Sequence, residues 1–190
     1  MSTSMKKLPH RIVTIVAAGL ALVLLQAGPT AASPLAGFAE RSVTTADGDT
    51  FHLKLAAAPI TIPSTGETVA VAGTSYNTAQ GMFLASCVIP EGVRLGDPTR
   101  YTALPTPCLG GRESTDGSAR RITDSATGTP GVTIPYRPVR SFLTTLSLRS
   151  KIADGTVRDV DVRCAIVTRA DLMATDDRTH DQYIPVHCGR

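Results

Sequence analysis

The chain has 190 residues, a formal net charge of +3, 4% aromatic side chains and no tryptophan, against 16 glycines and 13 prolines. Without Lys6, Lys7 and Arg11 it is nearly neutral, which leaves no basic footprint for nucleic acid or an acidic membrane. The remaining mixture, rich in Val, Thr, Ala, Gly and Pro, fits β-branched strands joined by Gly/Pro turns rather than helices, and the length suits one domain.

At the N-terminus Lys6, Lys7 and Arg11 precede an apolar run over 12–25, which Gln26, Gly28 and Pro29 end. This is the order of a secretory signal peptide. The run is shorter than the ~20 residues that cross a bilayer, and small residues follow it instead of a basic stop-transfer cluster. Cleavage is expected after Ala32, with Thr30 and Ala32 in the small-residue positions, because a cut after Ser33 would put Pro34 first. No twin arginine precedes the run, and the first cysteine is Cys87, so neither a folded-export signal nor a lipid anchor is expected. Residues 1–32 are thus read as a signal peptide, leaving an exported chain with no transmembrane span after processing.

Residues 33–49 are Gly/Ala/Thr-rich with little periodicity and read as a flexible N-terminal arm. Period-two alternation at 51–55 and 59–63 predicts two strands before a turn at 64–67. A strand is predicted at 68–72, a turn across 73–81, and a longer apolar strand over 82–89 that Pro90 ends. Residues 91–131 spread prolines and glycines among polar residues and read as loop, with a short strand near 99–104. Strand character resumes at 132–136 and at 144–152, where Leu146, Leu148 and Ile152 share one parity. After a turn at Ala153, Asp154 and Gly155, residues 159–169 alternate Val160, Val162, Cys164 and Ile166 against Asp159, Asp161, Arg163 and Ala165. The last strand, 182–188, turns Ile184, Val186 and Cys188 inward, and Pro185 suits a sheet edge. Seven to nine strands with closely spaced turns predict an all-β fold over 50–190, an Ig-like antiparallel β-sandwich.

Four cysteines in an exported chain without metal-ligand spacing predict disulfides. Parity places Cys164 and Cys188 on the same inward faces of the last two strands, and a Cys87–Cys108 bridge would close the Pro/Gly-rich loop. These are the preferred pairs. The alternative, Cys87 with Cys164, would imitate an inter-sheet bridge and oblige Cys108 to reach Cys188.

The stretch 69–87, with Gly73, Tyr76, Asn77, Gly81 and Cys87, resembles the early strands of neocarzinostatin-type apoproteins and their relatives among actinobacterial secreted Ig-like proteins. The tail, with Cys164, Thr168, Arg169 and Asp171, then Asp177, Arg178, His180, Asp181, Tyr183, Pro185 and Val186, resembles the closing hairpin of the second group. The resemblance spans 69–188. It implies a sandwich with a cleft whose floor carries the bridge matching Cys87–Cys108; in the chromoproteins that cleft holds an enediyne. Two departures stand out: Cys164 has no close cysteine neighbour, and the hairpin at 151–155 carries no aromatic walls.

Asp171, Asp176, Asp177, His180 and Asp181 crowd one segment, an oxygen-rich composition that can bind calcium. No EF-hand or RTX register is present, so an Asx-turn loop paired with Arg169 and Arg178 is expected instead. His52, His180 and His187 have no nucleophile elbow to serve, and Tyr76, Tyr101, Tyr136 and Tyr183 read as strand residues. No catalytic, metal or cofactor residues are assigned. The expected role is a non-enzymatic secreted or envelope-associated binding module whose partner is an envelope protein or a small molecule, with residues 91–131 as its variable surface. The alternative is a small-molecule carrier using a cleft beside Cys87–Cys108.

Overall fold

The computed structural model describes residues 35–111, 114–152 and 158–188. The leader with its cleavage site and the predicted turn at 153–155 lie outside these residues. Within them the chain is all-β, two sheets stacked as a sandwich. The strands are β1 (Gly37–Thr44), β2 (Thr50–Ala58), β3 (Thr61–Ile62), β4 (Glu67–Thr74), β5 (Met82–Val88), β6 (Ala119–Ile122), β7 (Thr133–Ile134), β8 (Phe142–Leu148), β9 (Cys164–Ala170) and β10 (Gln182–Cys188). One sheet has the order β1-β2-β4-β8 and the other β3-β10-β9-β5-β6-β7. All pairings are antiparallel except β10 with β3 and β6 with β7.

Leu53, Leu55, Val69, Val71, Phe142, Leu146 and Leu148 face Met82, Leu84, Ile122, Ile166, Ile184 and Val186 in one core between the sheets. Alternation puts every second residue of β2 and β4 into it, and each large aliphatic chain so buried contributes about 1.5–3 kcal/mol. A polar pin crosses this core. The Tyr76 hydroxyl donates to Gln182 Oε1 at 2.5 Å, while Gln182 Nε2 donates to the carbonyls of Ala39 and Leu53 on the opposite sheet. Every strong hydrogen-bonding atom of the buried amide is thus partnered, as burial requires.

The structure corrects several expectations. Residues 37–44 are not an arm: β1 pairs with β2 over its full length, from Gly37 opposite Ala57 to Thr44 opposite Thr50. Gly37 fits there because a Cβ would collide with Ile184 beneath it. Residues 99–104 hold part of a 3-10 turn, Pro98–Arg100, instead of a strand, with the Asp97 carboxylate capping Thr99. The stretch 91–131 contains β6, whose Ala119, Arg121 and Ile122 are buried. Before Cys164 the chain turns, so Val160 lies exposed instead of inward.

The expected Cys87–Cys108 bridge is closed. The second expected bridge is not: Cys164 and Cys188 are free thiols. The register explains it. Cys164 stands opposite Val186, and Cys188 lies two residues further along β10. Such diagonal neighbours are ~7–8 Å apart, beyond the Cα separation a disulfide tolerates.

Candidate functional site

The resemblance implied a cleft beside Cys87–Cys108, and this bridge lies on the outer face of the six-stranded sheet. Its floor is built from small residues. Ala119, Ala85, Val167 and Tyr183 follow one another across β6, β5, β9 and β10, and Cys87, Ala165 and Pro185 form the next row. Phe83 walls one end, between Arg121 and Arg169 directly across from it, with the Arg169 guanidinium over the ring at 4.5 Å. This face is filled. The loop that follows β5 lays Ile89, Val93 and Tyr101 onto it beside Cys108, and the Tyr101 ring meets Tyr183 edge-on at 4.7 Å.

A polar margin seals the cover. Arg41 of β1 passes over the Tyr101 ring at 5.4 Å and donates to the carbonyls of Arg178 and Asp181, both at 2.7 Å. Asp181 is fully buried against Arg178 at 3.1 Å, and burial pushes its carboxyl up to about 7 against the pull of Arg178, Arg41 and Arg169. The acidic segment is therefore a hydrogen-bonded loop. Asp177 accepts from the Thr179 amide and hydroxyl, and Asp171 pairs with Arg121 at 2.8 Å. His180, buried beside Asp177, has its pKa lowered chiefly by desolvation. Among the described residues no three His, Cys, Asp or Glu side chains cluster as metal ligands.

The outer face of the four-stranded sheet is open. Phe38, Ala56, Ala72 and Leu143 are successive cross-strand partners on β1, β2, β4 and β8. Phe38 is 73% exposed and Leu143 52%, so two large apolar side chains stand above an alanine floor. Ala36, Ala56, Ala58, Ala70, Ala72 and Leu143 bound a shallow trough of ≈ 190 Å³, and Phe38 stands next to it on β1, opposite Ala56. Glu40, Ser42, Lys54, Thr74 and Thr145 continue the same face as polar residues, and Lys54 pairs with Glu40 at 3.7 Å. The trough is an apolar band across an otherwise polar surface.

Sequence reading did not single out this band, because Phe38 lay in the segment read as an arm and alanines carry little periodic signal. The histidines serve elsewhere: His52 bonds Ser42 at 2.9 Å, and His187 lies 4.0 Å from Asp159. All four tyrosines are buried. A second depression of ≈ 310 Å³, at one end of the sandwich, is lined by Phe51, His52, Ser75, Val139 and Arg140. Three of these, Ser75, Val139 and Arg140, hold positive φ without being glycine.

No protein-family profile matches the chain, and no curated protein matches it. Among solved structures, macromomycin is similar at 15% identity and a TM-score of 0.43, over 72% of this chain and 99% of that one. At this distance the fold rests on its own registers and the function on the geometry of the site.

Proposed function

We propose that this chain is a non-enzymatic binding protein that works outside the cytoplasm and carries a small apolar molecule, or the apolar end of a larger one, in the trough on β1, β2, β4 and β8. The observation that carries the reading is the cross-strand row Phe38, Ala56, Ala72 and Leu143. A soluble domain gains nothing from holding two large apolar side chains above a bare alanine floor, and such patches mark binding surfaces. Alanines leave the backbone plane free for a flat group, and Phe38 can meet its edge or face.

The leader pattern in residues 1–32 and the closed Cys87–Cys108 bridge support the extracellular setting. No helix among the described residues is long and apolar enough to cross a membrane. The likeness of residues 69–87 to the chromoprotein apoproteins points towards carriage as well. The ligand surface differs from the expected one, because the face beside the bridge is occupied by the chain itself. An envelope partner docking an apolar side chain on the same band is the second reading, and the exposed Leu35 next to Ala36 favours it by widening the apolar area.

Titration with the neutral fluorophore N-phenyl-1-naphthylamine tests the proposal. A saturable, blue-shifted signal at one site per chain is expected, lost in Ala72→Arg, which fills the trough from its centre. Equal binding by Ala72→Arg and the parent would sink it.

A further inference from the structure

We propose that Cys164, Cys188 and Arg158 form a two-coordinate site for a soft monovalent metal ion, at the end of the sandwich away from the polar pin. Arg158 is 1% exposed and is the largest of the fully buried side chains. A tight turn plants it there. Its amide donates to Ser150 at 2.9 Å, and Asp159, with φ of 59°, closes the turn through a hydrogen bond to Val162. The guanidinium Nη2 donates to Ser86 Oγ at 2.8 Å, while Nε and Nη1 have only the thiols of Cys164 and Cys188 beside them. A buried guanidinium is costly unless an anion completes it.

The groups facing it are two thiols. Cys164 lies on the inner face of β9, in the row of Val88 and Val186, with Ser86 on the neighbouring strand; Cys188 follows on β10. Burial disfavours both thiolates and the Asp159 carboxylate beside them adds to this, while Arg158 favours them. Cys188 also lines a cavity of ≈ 530 Å³ with Asp159, Val162 and His187, which provides an entry path. The same diagonal offset that keeps the sulfurs from bonding each other suits an ion between them. Two metal–sulfur bonds of ~2.3 Å separate the sulfurs by roughly 4.6 Å, more than twice a disulfide bond.

Ligand softness and ligand number select the ion. Thiolates favour soft metals such as Cu(I). One Cu⁺ displaces one proton from each thiol, forms two Cu–S bonds and leaves a bis-thiolate complex of charge −1, with no change of oxidation state. The Arg158 cation then faces an anion. Zinc calls for four ligands, which the described residues do not assemble here. The inference is independent of the apolar trough.

The test delivers Cu(I) from a competing chelator to the reduced full chain under anaerobic conditions. One ion per chain and release of two protons are expected. Cys188→Ser, at a half-buried position that leaves the core intact, should reduce binding to background. Arg158→Met should weaken it about 10–100-fold, and Arg158→Lys should restore much of the loss. Unchanged Cu(I) affinity in Cys188→Ser would overturn the site, as would recovery of a Cys164–Cys188 disulfide from unreduced protein.

Discussion

The two outer faces of this sandwich begin from similar floors and end in opposite states. Ala85, Ala119 and Ala165 on the six-stranded sheet, like Ala56, Ala58, Ala70 and Ala72 on the four-stranded one, leave the backbone nearly bare. One floor is covered by Ile89, Val93 and Tyr101, pinned through Cys108; the other stays open beneath Phe38 and Leu143. The difference is one of connection. The strand that carries Cys87 leads into a long loop that must close back on its own disulfide, whereas β2, β4 and β8 are joined to their neighbours at the ends of the sandwich. Small residues make a surface receptive, and the chain's path decides whether its own residues or a ligand fill it.

Cutting the tether is expected to have the largest effect. The double variant Cys87→Ala/Cys108→Ala removes a cross-link across 21 residues, worth about 3 kcal/mol by loop entropy. Urea denaturation should show the lower midpoint, and limited proteolysis should find new cuts at 90–107. An intact loop would mean that packing alone holds the cover. Next comes Tyr101→Ala, expected to cost roughly 2–3 kcal/mol through its lost packing on Tyr183. It should also add a second naphthylamine site, making the covered face resemble the open one.

The polar margin supplies a pH signature. The Asp181 carboxyl, held near 7 by burial, titrates near ~3.9 in the unfolded chain. The folded state therefore binds the extra proton between these values. The stabilisation is complete below the unfolded value and fades as pH rises through about 7. The melting temperature should fall over that interval, and Asp181→Asn should flatten the curve; an equally steep decline in the variant would assign it to another group. The smallest effect on stability belongs to Phe38→Ser, expected to change it by no more than about 0.5 kcal/mol because the ring is exposed. Its probe affinity should nonetheless drop, which separates a binding residue from a structural one.

Sequence patterns carried the sandwich well where alternation was strong. Residues 68–72 lie in β4, all of the predicted 82–89 but its last residue in β5, and 182–188 in β10, with the predicted inward parity of Ile184 and Val186. They failed where a strand is made of residues that alternate weakly. In β1 only the Asp47 and Gly48 turn before Phe51 signalled a hairpin, and β6 lay hidden among glycines and prolines. The alternation of Val160 and Val162 with Cys164 extended beyond the ladder, because parity says nothing about where a partner strand stops. The candidate trough was invisible for a similar reason: its four members come from four strands, and only the register sets them in line.

What the amino-acid order determined by itself was local: an all-β chain and the inward parity of its aliphatic residues, with Cys87–Cys108 the preferred of two pairings. Tertiary structure alone decided which alanine floor is covered, that Cys164 meets Val186 instead of Cys188, and that Arg158 comes to rest against two thiols. Those outcomes depend on register and loop path, which arise from contacts between residues far apart in the chain.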